Sequence, residues 1–194
     1  MRIVGGTHKG RPLAAPKNAR VRPTTDRTRE AIFNVLTHGD FGGWTLEGAR
    51  VLDLFAGTGA LGLEALSRGA GFALFVDDHA HSRALIRQNA EALGETGRVR
   101  VWRRDAAKLG PRAGAAGPAY DLIFCDPPYG KTLGAKTLGG SALEAARVGG
   151  WLAAGAVCVL EEAASTHVPC PDGFTEHDRR RYGDTQAVIL RPVG

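Results

Sequence analysis

Four consecutive residues, Asp126-Pro127-Pro128-Tyr129, follow an apolar stretch and suit chemistry on an aromatic amine. The two prolines lack N–H donors and hold the backbone extended, so neighbouring carbonyl groups project as acceptors. A carboxylate and a carbonyl together can accept both hydrogens of an exocyclic amine, and the tyrosine ring offers a face on which a base can stack. Such hydrogen bonds direct the nitrogen lone pair toward an electrophile, so we expect Asp126, Pro127, Pro128 and Tyr129 to be catalytic. The alternative is a rigid turn whose tyrosine only packs.

A glycine-rich loop lies between a predicted strand and a predicted helix. Gly57-Thr58-Gly59-Ala60-Leu61-Gly62 fits the pattern GxGxxG, and Asp77 follows Gly57 by 20 residues at the end of the next predicted strand. This spacing is typical of a site for an adenosine-containing cofactor, where the backbone approaches the ligand and the acid binds ribose hydroxyls. A tight turn that binds nothing is the alternative.

Acidic residues near successive strand ends indicate which adenosine cofactor binds. Asp53 precedes the glycine turn, and a carboxylate there suits the cationic amino group of a methionine moiety better than a pyrophosphate. Asp105 follows the third predicted strand and can accept a hydrogen bond from an adenine amino group. We therefore predict S-adenosylmethionine rather than NAD, with Asp78 a weaker ribose candidate than Asp77. The expected cofactor-binding residues are Asp53, Phe55, Ala56, Gly57, Gly59, Asp77, Asp105 and Ala106.

Strands and helices alternate from residue 49 onward, and this order positions the loops. Such alternation is typical of an α/β fold with a parallel sheet, in which ligands bind beyond the C-terminal ends of the strands. Two adjacent strands around Gly183-Asp184 predict an antiparallel hairpin in the tail. The predicted strands are 51–55, 72–76, 99–102, 122–125, 157–160, 174–182 and 185–191, and the predicted helices are 61–68, 79–93 and 136–147.

Basic residues are concentrated in the first 30 residues of the chain. This segment holds eight Lys or Arg and two acidic residues, whereas the other 164 residues hold 17 basic and 18 acidic ones. Such a segment favours a polyanionic partner held by phosphate contacts, although a solvated loop is equally compatible. We predict a basic arm with a short hairpin between Ile3-Val4 and Leu13-Ala14, then an amphipathic helix after Thr24-Thr25-Asp26. The arm is expected to bind RNA rather than to build the core.

Other residue patterns exclude several classes of protein. The three cysteines form no CxxC pair and the histidines are scattered, so we expect no metal, no disulfide framework and a reducing cytoplasm. Cys125 invites a thiolate mechanism, but its apolar strand and the neighbouring carboxylate favour a core residue. No apolar run approaches the ~20 residues of a membrane span, and the first residues do not resemble a signal peptide. Arg179-Arg180-Arg181 is interpreted as a solvated strand edge that can extend the basic surface.

Several segments carry a family resemblance. They are Arg2-Ile3-Val4-Gly5-Gly6 with Gly10-Arg11, Arg22-Pro23-Thr24-Thr25-Asp26-Arg27-Thr28-Arg29-Glu30, residues 53–69, Asp126-Pro127-Pro128-Tyr129, and Tyr182-Gly183-Asp184-Thr185. With these segments the chain resembles the RsmD family of bacterial methyltransferases, which modify guanine N2 in small-subunit ribosomal RNA. The glycine and Asp-Pro-Pro-Tyr loops are shared with many amino-methyltransferases, whereas the Arg-Pro-Thr-Thr-Asp segment is more particular to this family.

The resemblance implies a Rossmann-like class I methyltransferase fold, mostly parallel, with a C-terminal antiparallel hairpin and a basic N-terminal arm. It implies S-adenosylmethionine as cofactor, 16S rRNA or the small ribosomal subunit as partner, and no membrane contact; we expect a monomer. Residues 1–40 would be an RNA-facing extension and residues 41–194 the methyltransferase domain. Family members often have Glu where this chain has Asp77, so the reach of the ribose contact is open. The residues expected to contact RNA are Arg11, Arg22, Thr24, Arg27 and Lys131.

Other functions remain compatible with the same motifs. An adenine-N6 methyltransferase on RNA or DNA would use the same loop, although the chain has no obvious separate target-recognition domain. A non-catalytic RNA-binding protein of this fold would not need Asp126 or the glycines. An NAD-dependent dehydrogenase would need a proton-relay residue and not the basic arm.

Overall fold

A seven-stranded sheet runs through the molecule and carries the loops described above on one of its edges. The computed structural model describes residues 1–16, 25–134 and 136–193. The main helices are α1 (Asp26–His38), α2 (Ala60–Ser67), α3 (Ala80–Leu93) and α4 (Leu138–Val148). The strands are β1 (Arg50–Leu54), β2 (Phe72–Val76), β3 (Val99–Trp102), β4 (Tyr120–Cys125), β5 (Thr132–Leu133), β6 (Lys136–Thr137), β7 (Leu152–Ala163), β8 (Phe174–Tyr182) and β9 (Thr185–Pro192).

The strand order is β3-β2-β1-β4-β7-β9-β8, with β5 and β6 forming a separate ribbon. Neighbouring strands from β3 to β7 are parallel, whereas β9 runs antiparallel to both β7 and β8. Leu54, the last residue of β1, pairs with Val76 on one side and Cys125 on the other. The ends of three strands therefore meet at the point where the strand order reverses, where open α/β sheets bind ligands. The predicted fold class is confirmed.

Apolar side chains cover both faces of the sheet, as the continuous hydrophobic strands predict. In β1, Val51 belongs to one buried cluster, while Leu52 and Leu54 belong to the cluster on the opposite face. Burial on both faces fixes the register of the central strands and so fixes where each strand ends. Within the described parts of the chain, no helix is long and apolar enough to span a bilayer.

The helix ends depend on local hydrogen bonds that the sequence encodes. The Thr25 hydroxyl accepts a hydrogen bond from the Thr28 N–H (3.1 Å), so α1 begins at Asp26 as the N-cap cluster predicts. The helix expected from residue 136 begins at Leu138 instead. Lys136 and Thr137 pair with β5, and the Thr137 hydroxyl accepts from the Gly140 N–H (3.1 Å) to cap α4. Strand β7 is longer than predicted and begins at Leu152.

The N-terminal segment, residues 1–16, packs against the sheet domain. Arg2 and Pro12 form an antiparallel bridge, which closes the predicted short hairpin. Ile3 and Leu13 are buried in the same apolar cluster as Phe33 of α1 and the central strands. The expectation that this segment does not build the core is therefore wrong, because its apolar side chains lose contact with water on folding. An RNA-facing role for residues 1–40 stays a prediction.

Two buried polar side chains fasten the N-terminal segment to α2 and α3. Glu64 of α2 accepts a hydrogen bond from the Val4 N–H at its Oε2 (2.9 Å). Asn89 of α3 accepts from the Ala14 N–H (2.7 Å) and donates to the Ala14 carbonyl (3.1 Å) and the Thr58 carbonyl (3.0 Å). Because Thr58 belongs to the glycine-rich loop, Asn89 links the N-terminal segment directly to that loop.

We expect Ile3→Ala to lower the free energy of unfolding by about 2–4 kcal/mol, because a fully buried side chain is replaced by a cavity. Val148→Ala is the matched control, since Val148 is 79% exposed and its truncation should change stability by less than about 0.5 kcal/mol. Urea unfolding followed by circular dichroism measures both. Equal stability of Ile3→Ala and the wild type would show that the N-terminal segment does not share the core.

Candidate active site

The glycine-rich loop leaves the end of β1 through a sharp change of backbone direction. Phe55 has φ of +58°, and among the described residues it is the one non-glycine residue with positive φ. Gly57 and Gly59 follow with φ of +56° and +78°, and Gly59 caps the start of α2. A non-glycine residue held in this region costs about 1–3 kcal/mol, which is common where a backbone is shaped for a ligand. The turn presents main chain rather than side chains beyond the strand end.

Asp77 binds the glycine-rich loop to the end of β2. Its Oδ2 accepts a hydrogen bond from the Gly57 N–H (2.9 Å), and its Oδ1 accepts from the His79 N–H (2.8 Å). The residue is buried, although each carboxylate oxygen retains a second lone pair. The two residues that the GxGxxG spacing relates are therefore in direct contact.

Asp53 lies beneath the loop rather than in the open. It is 1% exposed, and its Oδ2 accepts a hydrogen bond from the Gly62 N–H of α2 (3.0 Å). Burial raises the pKa of this carboxyl to about 8, the Gly62 hydrogen bond opposes that rise, and the charge of Asp77 adds to it. Asp53 thus supports the first turn of α2, while its predicted contact with a methionine amino group stays a prediction.

Asp105 and Ala106 follow β3 at the same edge of the sheet. Asp105 is exposed, and its Oδ1 accepts from the Ala107 N–H (2.9 Å), which caps a short 3-10 turn containing the buried Ala106. Asp78 is exposed beside Asp77. Among the described residues, Asp77, Asp78 and His79 form a group of three side chains whose potential metal-binding atoms all lie within 4.8 Å of one another. The expectation that no metal binds stays a prediction.

The Asp126–Tyr129 loop begins beside the glycine-rich loop because β4 lies next to β1. The Asp126 N–H donates to the Leu54 carbonyl (3.4 Å), so the two loops start from one hydrogen-bonded position. Asp126 is half-buried, Pro127 is buried and Pro128 is exposed. The predicted catalytic residues and the predicted cofactor residues therefore meet at the switch point of the sheet.

The Tyr129 side chain is held from β7 and β9. Its hydroxyl donates to Oε1 of the buried Glu161 (2.9 Å) and lies 3.1 Å from the Thr185 hydroxyl oxygen. Burial raises the pKa of the Tyr129 phenol, and the charge of Glu161 raises it further. The phenol is therefore a hydrogen-bond donor over the whole physiological pH range.

A cleft of about 580 Å³ opens beside Tyr129. It brings Arg27 of α1 together with Arg181 and Tyr182 of the tail hairpin, and both arginines are exposed. An aromatic ring beside cationic groups can take a nucleobase with its phosphate. The cleft is lined by Thr25, Arg27, Thr28, Ala31, Tyr129, Arg181, Tyr182, Gly183, Asp184 and Thr185.

Two other residues expected to contact RNA, Arg11 and Lys131, do not line this cleft. Arg11 donates from Nη2 to the Ala92 carbonyl at the end of α3 (2.6 Å), and Arg11 is absent from the cleft lining. Lys131 is exposed after the Asp126–Tyr129 loop. Arg22 and Thr24 lie outside the described residues. An RNA contact of each of these residues stays a prediction.

Cys125 is a core residue, as its surroundings in the sequence indicate. It is fully buried, its thiol faces the Gly139 carbonyl, and burial together with the Asp126 charge raises its pKa well above the ordinary value. A thiol in this position does not ionise near neutral pH, so it does not supply a nucleophile.

The sequence does not predict Glu161, Glu162 and Thr185 as site residues, and it indicates Arg181 only as part of a strand edge that can extend the basic surface. Glu161 and Glu162 follow the apolar run 157–160, so their place at the end of a predicted strand was a usable signal. Arg181 and Thr185 reach the site because β9 pairs with β7, and nothing local in the sequence indicates that pairing.

Known proteins resemble this chain in sequence and in fold. The model of a family described as Conserved hypothetical protein 95 matches residues 1–191. Ribosomal RNA small subunit methyltransferase D of Escherichia coli strain K12 is 38% identical over 185 residues, which are 94% of this chain and 85% of that protein.

Solved structures show the same architecture. The Escherichia coli protein yhhF superposes with a TM-score of 0.81 at 29% identity, covering 100% of this chain and 98% of that one. SMU.776, solved in complex with SAH, superposes with a TM-score of 0.60 at 18% identity, covering 84% of this chain and 49% of that one, and this likeness is one of fold alone. The family match and the similarity to the E. coli methyltransferase show that the chain belongs to the family described as Conserved hypothetical protein 95, the RsmD family of methyltransferases.

Proposed function

We propose that this protein transfers a methyl group from S-adenosylmethionine to the exocyclic N2 amine of a guanine in 16S rRNA of the small ribosomal subunit. The observation that carries the proposal is a meeting of two loops at one sheet edge. Asp77 holds the glycine-rich loop through its hydrogen bond with the Gly57 N–H. The loop that bears Asp126 and Tyr129 begins beside it, where the Asp126 N–H donates to the Leu54 carbonyl (3.4 Å).

The residues at the ends of β1, β2 and β3 fit S-adenosylmethionine. A Cβ added to Gly57 would have no atom closer than the Phe55 carbonyl at 3.9 Å, so space for a ligand lies over the loop. Asp77 has lone pairs left for ribose hydroxyls, and the exposed Asp105 can accept from an adenine amino group. The Asp77 carboxylate lies at the turn, where it would repel a pyrophosphate. Phe55, Ala56, Gly59 and Ala106 would complete the contacts.

The Asp126 loop supplies what a poorly nucleophilic amine needs. The lone pair of an exocyclic amine is delocalised into the ring until hydrogen bonds to acceptors localise it on nitrogen. Asp126 and the carbonyl groups beside Pro127 and Pro128 would accept the two N–H groups, and Tyr129 would stack on the base. When bound, S-adenosylmethionine supplies a methyl group made electrophilic by the sulfonium. Asp126 then stabilises the positive charge that develops on the nitrogen before its proton leaves.

The proposal of an RNA substrate is supported by the charge of the cleft and by sequence similarity to a named relative. Arg27 and Arg181 line the cleft beside Tyr129 and would neutralise phosphates next to the target nucleotide. The E. coli relative bears the name ribosomal RNA small subunit methyltransferase D. The loop does not distinguish guanine N2 from adenine N6, because a carboxylate and a carbonyl accept hydrogen bonds equally well from either amine. The choice of guanine N2 therefore rests on the family resemblance.

Asp77→Ala should weaken S-adenosylmethionine binding by ~1–3 kcal/mol, because the ribose hydrogen bonds and the anchor of Gly57 are both lost. Isothermal calorimetry measures the affinity for S-adenosylmethionine and, separately, for NAD. Asp78→Ala is the matched control, since that neighbouring carboxylate is exposed and should leave the affinity unchanged. NAD binding by the wild type, or equal affinities of Asp77→Ala and the wild type, would refute the cofactor assignment.

Asp126→Ala should lower kcat at least a hundredfold while changing cofactor affinity little, because its hydrogen bond acts mainly in the transition state. The assay supplies small ribosomal subunits lacking the modification and methyl-labelled cofactor, then digests the RNA to nucleosides. Label in N2-methylguanosine is expected. Tyr129→Ala should raise KM for the subunit as well as lower kcat, since stacking is lost.

Asp172→Ala serves as control for the same assay, because Asp172 is an exposed carboxylate that does not line the cleft. Label in N6-methyladenosine alone would replace guanine by adenine in the proposal. Full activity of Asp126→Ala would remove the role assigned to that carboxylate.

A further inference from the structure

Two adjacent glutamates at the end of β7, Glu161 and Glu162, both reach the loop that carries Asp126. Glu161 accepts from the Tyr129 hydroxyl at its Oε1 (2.9 Å). Glu162 accepts at its Oε1 from the Gly130 N–H (2.9 Å) and from the Ala163 N–H (2.8 Å). Both glutamates are 1% exposed. We name this pair the glutamate clasp.

The direction of each hydrogen bond around Tyr129 is fixed by chemistry. The phenol has a single proton, and Tyr129 donates it to Oε1 of Glu161. The Thr185 hydroxyl, 3.1 Å from the phenol oxygen, must then donate to Tyr129. Hydrogen bonds from Thr185 to Tyr129 and from Tyr129 to Glu161 therefore hold the phenol from two sides.

Stability alone does not explain buried glutamates at these positions. Removing a carboxylate from water costs several kcal/mol, and an apolar side chain of similar size is often at least as stabilising. One hydrogen-bond partner of each glutamate, the Tyr129 hydroxyl for Glu161 and the Gly130 N–H for Glu162, belongs to the loop that bears the candidate catalytic residues. A carboxylate at the end of a rigid strand gives such a loop a defined position, as precise sites require.

The clasp also connects the loop to the wall of the cleft. Thr185 is the first residue of β9 and lines the cleft together with Arg181 and Tyr182 of the same hairpin. Tyr129 is therefore oriented between β7 and β9, with its ring at the border of the cleft. The tail hairpin thus becomes part of the proposed base site.

We propose that Glu161 and Glu162 are positioning residues, which hold the Tyr129 ring and the Asp126–Gly130 backbone in the orientation that presents a target amine for methylation. This inference rests on the proposed function, since it assigns a task within that reaction. Glu161 acts through the Tyr129 hydroxyl and Glu162 acts through the Gly130 amide, so neither needs to touch the substrate.

The test compares wild type, Glu161→Ala, Glu161→Gln, Tyr129→Phe and the double variant Glu161→Ala/Tyr129→Phe. Glu161→Ala and Tyr129→Phe should each lower kcat about tenfold, because a misplaced reacting group costs one to two orders of magnitude. Their cofactor affinity should equal that of the wild type. Glu161→Gln retains an acceptor and should stay within about threefold of the wild-type kcat.

The double variant separates positioning from a general structural role. If Glu161 acts through the phenol, Glu161→Ala should cause no further loss of kcat once Tyr129 is Phe. An equal loss in both backgrounds, or a wild-type kcat for Glu161→Ala, would overturn the inference. Glu176→Ala on β8 is the control, because that exposed carboxylate pairs with Arg179 and should leave kcat unchanged.

Two further measurements keep the outcome decisive. If Glu161→Ala does not fold, Thr185→Val removes the other hydrogen-bond partner of the Tyr129 phenol. Thr185→Val should lower kcat in the wild-type background and cause no further loss in the Tyr129→Phe background. An equal loss in both backgrounds would overturn the inference. A wild-type enzyme that methylates no RNA would instead refute the proposed function itself, so failure of the function and failure of the clasp are distinct results.

Discussion

The hydrogen bond from the Gly57 N–H to the Asp77 carboxylate, at 2.9 Å, is the interaction on which the rest of the site depends. It ties the turn after β1 to the end of β2 and so holds Phe55 in a backbone conformation that costs energy. Without these two main-chain N–H partners, the buried Asp77 carboxylate would lower the stability of the fold by several kcal/mol. Because β4 lies on the other side of β1, the position of this turn also sets where the Asp126 loop begins.

The N-terminal segment shows how the same turn is supported from a second direction. Asn89 binds the backbone of Ala14 and of Thr58, so the segment is packed against the glycine-rich loop and not only near it. Arg29 and Glu64, both fully buried, extend this support to α1, with 3.8 Å between Arg29 Nε and Glu64 Oε2. The helix that offers Arg27 to the cleft and the loop that would hold a cofactor thus belong to one packed unit. The glycine-rich loop therefore helps to position the α1 side of the cleft, where a substrate would bind.

Much of this arrangement could be predicted from the sequence, because it depends on local signals. Apolar strands that are followed by Asp77, Asp105 and Asp126 put those residues at one edge of a parallel sheet. The glycine spacing predicts that Gly57 and Asp77 share one cofactor site, and the two residues are in contact. Thr25 as a helix cap follows from the same local chemistry.

The parts that could not be predicted depend on contacts between distant segments. Charge and the family resemblance predict residues 1–40 as an extension of the domain, whereas burial of Ile3 and Leu13 depends on the shape of the surface beneath them. The pairing of β9 with β7 brings Thr185 to Tyr129 across 56 residues, and no periodicity indicates which strand neighbours which. Asp53 was expected to face a ligand, yet its place beneath α2 follows from the path of the loop above it.

The central claim, methylation of a guanine N2 amine in small-subunit rRNA, is tested most directly in cells. Deleting the gene in its own organism and analysing 16S rRNA nucleosides by mass spectrometry compares the modification with and without the protein. We predict that N2-methylguanosine falls by one residue per rRNA molecule and returns when the wild-type gene, but not Asp126→Ala, is restored. An unchanged N2-methylguanosine content in the deletion strain would contradict the account.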